Sequence, residues 1–566
     1  MLGINGKKII PIGFENFKEI IDKDLYYVDK TMLIYDILKS GGKNNLITRP
    51  RRFGKTLNFS MLKYFFDIRE KDSGYIFDGL KISEHLDEIK QYRNSHPVIS
   101  LSLKSAKQPT YESALDSLCN EIRSQFIEYE FITKSDKLSE SDKEAFRDIC
   151  RYKNTDEQLY KEAIKTLCKC LKQYYGVNTI ILIDEYDAPL ENSYFAGFYD
   201  KMVSFIRSLF ESALKTNDAL ESSVITGCLR ISKESIFTGL NNLEVNSILS
   251  ETYSEHFGFV QSEVDDILEY YNLSQKRDEL KKWYDGYLFG STEVYNPWSV
   301  LKQIKEWGIN QNAFAKAHWI NTSSNEIVEN LIGKADKAVK EQIESLINGE
   351  SIEAPIRETI TYDDMNRVNE NIWSFLFFTG YLKVKSVVSV SNDSGEEAIY
   401  ELVIPNIEIK SCYKSVIMEY FNKYKESVDK KRLFEALLNK DTKTFSDEIT
   451  KLLEKSISYY DNKESFYHGL IAGLLSEEAS FKAQSNREMG NGRSDLVIYD
   501  NLFFEYAIIL EFKVADDNER IDNAAKRALT QINEKRYDAE AVQMGYKNII
   551  KYGIAFKDKV CYAVVE

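Results

Sequence analysis

The chain has 566 residues, which is enough for about four domains of ordinary size. Hydrophobic residues make up 43% of it and aromatic residues 13%, which excludes an intrinsically disordered protein. The formal net charge of −15 excludes a protein whose whole surface binds nucleic acid, so that any such site must be a local patch.

Cysteine usage and hydropathy indicate the compartment. The seven cysteines are scattered and lack the spacing of a metal site or a disulfide framework, which predicts reduced thiols in a cytosolic protein. The first residues lack the apolar segment of a signal peptide, and no run approaches the 18 apolar residues of a membrane span. We therefore expect a cytoplasmic protein with no membrane partner.

Short β-branched runs alternate with long segments of helical periodicity over the first 250 residues. Buried strands that alternate with helices are typical of a parallel α/β sheet. The predicted strands lie at 46–48, 98–103, 179–183 and 223–226, and the predicted helices include 57–66, 158–175 and 195–216.

The rest of the chain predicts three further parts. A helical, aromatic stretch is predicted to form a lid, and a helix followed by two strand-like runs at 382–391 and 398–404 indicates a winged-helix-like segment. The end of the chain is predicted to be a small α/β unit with helices at 464–475 and 520–545 and strands near 493–499, 507–512 and 552–556. The predicted domains are 1–250, 251–340, 341–430 and 431–566.

A basic loop, Arg49-Pro-Arg-Arg-Phe-Gly-Lys-Thr56, joins the first predicted strand to the helix after it. Backbone N–H groups at a helix N-terminus suit a phosphate. Lys55 can reach the β- and γ-phosphates, the Thr56 hydroxyl can ligate Mg²⁺, and Gly54 permits close backbone approach. The pattern G-x-x-x-x-G-K-[ST] requires Gly where this chain has Arg49, so an ordinary Gly-Lys-Thr turn remains the alternative.

The other half of a nucleotide site is predicted at the end of the apolar strand at 179–183, which Asp184 and Glu185 follow directly. Ligands of α/β sheets bind at the carboxyl ends of strands. Asp184 is positioned to hold Mg²⁺ and Glu185 to polarise an attacking water, although acids also cap helices. Arg230, just after the strand at 223–226, is a candidate for stabilising transferred charge, with a surface salt bridge as the alternative.

These motifs resemble those of the bacterial AAA-ATPase-like family, divergent P-loop ATPases that are usually fused to a C-terminal nuclease-like domain. The resemblance implies ATP as the ligand and an arginine in place of the first loop glycine. It also implies nucleotide-pocket roles for Arg52 and Tyr287, although the aromatic stretch around Tyr287 can equally pack the lid onto the sheet. The similar segments are Pro11–Phe14, Tyr26–Thr31, Arg49–Thr56, Leu182–Asp187, Trp283–Tyr287 and Tyr295–Trp298.

A second candidate site lies in the last hundred residues. Asp495 begins one apolar strand, and another strand runs into Glu511 and Lys513, whose side chains point to the same face because strand residues alternate. Two close carboxylates bind Mg²⁺ or Mn²⁺, and the metal and the ammonium can generate hydroxide and stabilise charge on a scissile phosphate.

This arrangement resembles the core of the PD-(D/E)xK nuclease superfamily. The resemblance implies a further metal-binding acid, for which Glu464 and Glu488 compete. It also implies a role for Gln531 and Tyr537 on the following helix.

The predicted function is an ATP-binding and ATP-hydrolysing protein whose nuclease-like domain cleaves or processes nucleic acid, DNA in preference to RNA, under ATP control. The alternative is a switch NTPase that acts through protein or nucleic-acid binding and carries a silent nuclease fold. Residues 461–566 hold 14 Lys and Arg against 18 Asp and Glu, a net charge of −4, so basic surface for DNA must be local. A protein partner and oligomerisation stay open.

Overall fold

The computed structural model describes most of the chain as two compact units. One unit comprises Met1–Thr322 and Ser351–Cys412, and the other comprises Ser323–Glu350 and Tyr413–Glu566. The four-part division of the sequence stays a prediction. The described residues are 6–151, 156–230, 236, 243–319, 331, 335–358, 361–362, 368–389, 397–415, 430–455, 467, 471, 474–475, 481–489, 492–500, 505–516 and 518–566.

The strands form two five-stranded sheets and two smaller ones. In chain order they are β1 Asn44–Thr48, β2 Val98–Ser102, β3 Thr179–Asp184, β4 Leu220–Gly227, β5 Leu243–Asn246, β6 Tyr287–Phe289, β7 Thr292–Val294, β8 Ile352–Pro355, β9 Lys383–Ser389, β10 Ile399–Val403, β11 Phe481–Met489, β12 Gly492–Asp500, β13 Tyr506–Val514, β14 Asn548–Lys557 and β15 Val560–Val565.

The described residues also form α-helices. In chain order they are α1 Phe17–Asp22, α2 Met32–Ser40, α3 Lys55–Phe66, α4 Leu86–Ile89, α5 Tyr111–Glu128, α6 Glu140–Arg151, α7 Glu157–Tyr175, α8 Ala188–Ala196, α9 Tyr199–Phe210, α10 Gln261–Tyr270, α11 Arg277–Tyr284, α12 Pro297–Ile309, α13 Lys337–Asn348, α14 Val368–Phe378, α15 Lys430–Leu438, α16 Thr442–Lys455, α17 Ile521–Glu534 and α18 Ala539–Gln543. None of the helices in the described ranges is long and apolar enough to cross a membrane.

The first unit is built on a sheet of five parallel strands in the order β2-β3-β4-β1-β5, which confirms the predicted parallel α/β fold. Strands β1 and β3 are fully buried along their length, as expected for central parallel strands covered by helices on both faces. Strand β4 lies between them, so the ends of β1, β3 and β4 come together at one edge of the sheet.

The predicted helix at 195–216 is wrong in its extent. Helix α8 ends at Ala196, and Gly197 adopts a left-handed conformation with φ of 82° before α9 begins at Tyr199. A glycine in this conformation terminates a helix by satisfying its last carbonyls.

The chain after this sheet contains more strand than the sequence predicts. Helices α10, α11 and α12 share a core around Tyr284, Val300 and Trp307, but the antiparallel hairpin β6–β7 interrupts them. The two strand-like runs predicted at 382–391 and 398–404 appear as the antiparallel pair β9 and β10, joined by β8 in a three-stranded sheet. Most of the residues that join β9 to β10, and most of the helix predicted at 464–475, lie outside the described residues.

The second unit is built on a mixed sheet in the order β11-β12-β13-β14-β15, in which only β13 and β14 run parallel among the strand pairs that the structure records. The predicted helix at 520–545 is divided into α17 and α18, because Arg536 between them adopts a left-handed conformation with φ of 54°. Strands β11 and β15 were not predicted.

Side chains of β13 alternate between two cores. Leu510 and Phe512 pack with residues of α15 and α16, whereas Ile509 packs with Ile532 of α17. Glu511 follows the period of Ile509 and therefore faces α17.

Gly553 of β14 lies opposite Glu511 in the parallel register and lets α17 approach the sheet. A Cβ at this position would lie 2.2 Å from the main-chain oxygen of Ala525 and 2.5 Å from the main-chain nitrogen of Leu529. Backbone atoms cannot rotate away as a side chain can, so a larger residue must displace the helix.

We predict that Gly553→Ala lowers the free energy of unfolding of this unit by about 1–3 kcal/mol, the usual range for overpacking. Urea denaturation followed by circular dichroism measures the change. Val560→Ala, at a position on β15 that is 44% exposed, is the control and should leave the midpoint unchanged. Equal stability of Gly553→Ala and wild type would contradict the close helix–sheet contact.

Candidate functional site

The loop between β1 and α3 has the backbone of an anion site. Gly54 is the N-cap of α3 and has φ of 82°, and Arg52 is also left-handed with φ of 70°. No side chain caps the N-terminus of this 12-residue helix. Its first N–H groups and the positive end of its dipole are therefore directed toward the loop, as phosphate binding requires.

The Lys55 ammonium is buried within this loop. Its Nζ donates to the carbonyl oxygens of Arg49 at 2.9 Å and Pro50 at 2.8 Å and lies 3.7 Å from the Sγ of Cys228. Only 7% of Lys55 is exposed. A cation held by neutral carbonyls retains its charge for an anionic ligand, since no carboxylate neutralises it within these contacts.

The two halves of the predicted nucleotide site meet at Asp184. The Thr56 hydroxyl donates to Asp184 Oδ2 at 2.7 Å, and the Thr226 hydroxyl donates to Asp184 Oδ1 at 2.5 Å. Thr226 lies near the end of strand β4. One carboxylate and two hydroxyls form a set of hard oxygen donors of the kind that Mg²⁺ prefers.

The residues after Asp184 divide into two environments. Glu185 has φ of 52°, an uncommon conformation for a residue other than glycine, and its pKa is raised by burial and by the nearby Asp184 carboxylate. Asp187 is buried and accepts main-chain N–H bonds from Cys228 at 2.7 Å and Leu229 at 3.1 Å. Asp187 therefore orders the chain after β4, a role the sequence did not predict.

The basic residues of the loop already contact protein groups. Arg51 pairs with Glu191 at 2.5 Å. Arg52 donates to the carbonyl oxygen of His318 at 3.2 Å, and its guanidinium lies 4.7 Å from the centre of the Trp298 ring.

Two other predicted nucleotide residues also have protein partners. Arg230 lies 3.6 Å from Glu358 with both side chains about one-third exposed, which matches the salt-bridge alternative. Tyr287 is buried against Phe53 and Trp319, as the packing alternative expects. The nucleotide roles of Arg52, Arg230 and Tyr287 stay predictions.

The second unit brings Asp495 and Glu511 together on the adjacent strands β12 and β13. The main-chain N–H of Asp495 donates to Glu511 Oε2 at 3.4 Å, and that of Phe512 donates to Asp495 Oδ2 at 2.9 Å. Lys513 Nζ lies 3.3 Å from Glu511 Oε1. The carboxylates and the ammonium thus share one face of the sheet.

Helix α17 adds Gln531 to this cluster. The Gln531 amide donates to Glu511 Oε1 and to the Tyr537 hydroxyl, the latter at 3.4 Å. Glu511 is only 2% exposed, and burial, together with the nearby Asp495 charge, raises its pKa to about 7. Five predicted residues, Asp495, Glu511, Lys513, Gln531 and Tyr537, therefore come together.

A third acidic ligand is not identified within the described residues. Glu464 lies outside them, and the side chain of Glu488, on β11, is not described either. Among the described residues, no group of three or more His, Cys, Asp or Glu side chains is arranged to hold a metal ion.

Comparisons with known proteins match both units. Residues 11–237 match the family model described as Predicted AAA-ATPase, and residues 462–566 match that of the PD-(D/E)XK nuclease superfamily. An uncharacterized protein in the vnfD 5′ region of Azotobacter chroococcum mcd 1 is 24% identical over 541 residues, which cover 94% of this chain and 93% of that protein.

A solved structure of the Aeropyrum pernix ORC2 protein in ADPNP–ADP complexes is also similar, at 10% sequence identity. The similarity covers 68% of this chain and 92% of that chain, and the TM-score is 0.26, which is too low to indicate a shared fold. The domain assignment rests on the two family models, and the parallel sheet and the two candidate sites agree with it. This chain joins a domain of the AAA-ATPase-like family to a domain of the PD-(D/E)XK nuclease superfamily.

Proposed function

We propose that this protein binds and hydrolyses ATP at the edge of the parallel sheet of the first unit, where β1, β3 and β4 end. The observation that carries the proposal is the convergence of Thr56 and Thr226 on Asp184 beside the buried ammonium of Lys55. A strand–loop–helix turn, a cation and a set of hard oxygen donors are the parts that phosphoryl transfer requires. Seven free cysteines support our placement of the protein in the cytoplasm.

Each residue has a role in this proposal. Thr56 and Asp184 would hold Mg²⁺, which would supply neutralisation of the phosphate charge. Lys55 exchanges its carbonyl partners for phosphate oxygens. Glu185 accepts a proton from the attacking water, and its raised pKa makes it a better base near neutral pH than an ordinary glutamate.

Substitutions of Lys55 and Glu185 should affect different steps. We predict that Lys55→Ala weakens ATP binding about tenfold or more, because a charge-assisted contact to phosphate is lost. Glu185→Gln should still bind ATP but lower kcat about 10²–10⁴-fold, the usual contribution of a general base. Fluorescent-nucleotide titration and steady-state phosphate release measure the two effects.

The control for these variants is Lys169→Ala, which removes a lysine on α7 whose side chain is 59% exposed. It should bind and hydrolyse ATP like wild type. Undiminished turnover in Glu185→Gln would contradict the role of Glu185 as the base.

We propose further that the second unit cleaves nucleic acid, DNA in preference to RNA. The support is the close pair of Asp495 and the buried Glu511 with Lys513 beside it. The two carboxylates would hold Mg²⁺, which would supply activation of water as a nucleophile at neutral pH. Lys513 stabilises charge on the scissile phosphate, and Gln531 fixes the orientation of Glu511.

We predict that Asp495→Ala and Lys513→Ala each abolish cleavage of plasmid or single-stranded DNA in Mg²⁺ or Mn²⁺. The first removes a metal ligand, and the second removes the charge that opposes the developing anion. Agarose and denaturing gels measure the products. Lys526→Ala, on the same unit with a side chain that is 65% exposed, is the control and should cleave normally. Cleavage unchanged in both site variants would exclude this cluster as the source.

We also propose that ATP controls cleavage, and the presence of both candidate sites in one chain supports this. ATP should change the cleavage rate of wild type, and Lys55→Ala should remove that response. ATP turnover without cleavage under any condition would favour the switch NTPase with a silent nuclease fold. That outcome would be consistent with a metal site that has only two acidic ligands among the described residues, Asp495 and Glu511.

A further inference from the structure

Arg49 stands where the general phosphate-loop pattern has glycine, yet its side chain contacts main-chain groups away from the loop. None of Arg49 is exposed. Its Nη1 donates to the carbonyl oxygens of Thr48 at 2.9 Å, Asn246 at 3.0 Å and Ser247 at 2.8 Å, and its Nη2 donates to that of Thr252 at 3.2 Å. The guanidinium therefore joins the end of β1 to the turn that follows β5.

This cation is buried without an acidic partner. Burial alone lowers its pKa, to about 9, and no ion pair to Arg49 is recorded among the described residues. Its guanidinium carbon lies 5.1 Å from the Phe289 ring centre and 5.5 Å from that of Phe257, so two aromatic faces complete its surroundings. Burying a charge without an acidic partner costs free energy, so we expect these contacts to hold a part of the chain in place.

The main-chain atoms of Arg49 show what these contacts fix. Its N–H donates to the carbonyl oxygen of Gly227 at 3.0 Å, which ties it to the end of β4. Its own carbonyl oxygen accepts from Lys55 Nζ at 2.9 Å. One residue thus connects the ends of β1 and β4, the turn after β5 and the loop lysine.

We propose that Arg49 is a positioning residue for ATP binding, whose buried side chain anchors the start of the phosphate loop and so places Lys55. The proposal rests on the ATP-binding function proposed above. Arg49 is not a phosphate ligand, because three of its four carbonyl bonds direct its guanidinium toward residues 246–252. A glycine at this position would leave those carbonyls without their donor and the loop without its anchor.

Arg49→Gly tests the proposal sharply, because it restores the general G-x-x-x-x-G-K-[ST] pattern. We expect its Kd and KM for ATP to rise about tenfold or more, because small misplacements of positioned groups have effects of this size. We expect kcat at saturating ATP to fall much less, because bound phosphate reorders the loop. Millimolar guanidinium ion should restore affinity, at concentrations far below those that unfold proteins.

A purely structural role would give another result. Partial unfolding reduces the amount of active protein, which lowers apparent kcat and leaves KM unchanged. Arg69→Ala is the matched control, because Arg69 is also stacked on an aromatic ring, that of Tyr129, and pairs with Asp67. It should lose stability without a change in KM, and guanidinium should not alter its ATP affinity.

Arg49→Lys keeps the proposal testable where Arg49→Gly does not fold. Lysine retains the charge but donates from a single nitrogen, so it cannot span the four carbonyls, and we expect a raised KM in a folded protein. An unchanged KM in Arg49→Lys, or wild-type ATP affinity in Arg49→Gly, would overturn the role of Arg49. Absence of ATP binding in the wild type would instead contradict the proposed function itself.

Discussion

The proposed nucleotide site depends on two cations that are held by main-chain carbonyls where β1 ends. Arg49 and Lys55 are both buried, and the hydrogen bonds described above join them to neutral oxygens rather than to carboxylates. Neutral partners leave the positive charge in place, so the local field favours an anion although the whole chain carries −15. An acidic protein can therefore present a phosphate site without a basic surface.

The second unit solves the opposite problem, which is how to bury negative charge. Glu511 lies almost entirely out of water beside Asp495. Its carboxylate accepts from the Gln531 amide and from a main-chain N–H and lies beside Lys513, and the Asp495 carboxylate accepts from another main-chain N–H. This arrangement requires α17 to lie close to β14, which the missing side chain of Gly553 permits. Packing and electrostatics at this site are thus set by the same helix–sheet contact.

The sequence predicts much of this structure, because its strongest signals are local. The apolar strand before Asp184, the loop before Lys55 and the strand into Glu511 each contain their own pattern. The helix breaks at Gly197 and Arg536 were missed because helical periodicity continues across them, whereas a single left-handed residue ends each helix. Strand β5 is short and has only two apolar residues, so it does not stand out, whereas the apolar run Val560–Val565 of β15 is a signal that the sequence prediction overlooked.

The role of Arg49 illustrates what sequence patterns omit. The motif shows that this residue replaces a glycine, but its partners lie almost 200 residues later in the chain. Only the fold brings residues 246–252 to the start of the loop. The same holds for Thr226 and Asp187, whose partners come from other strands or from the chain after β4.

The most direct test of this account is a crystal structure of the full chain with Mg²⁺ and a non-hydrolysable ATP analogue. The account predicts phosphates at the N-terminus of α3, Lys55 turned from the carbonyls of residues 49 and 50 toward them, and Arg49 unmoved on the carbonyls of 246–252. A nucleotide bound elsewhere, or an Arg49 guanidinium that leaves those carbonyls to contact phosphate, would contradict it.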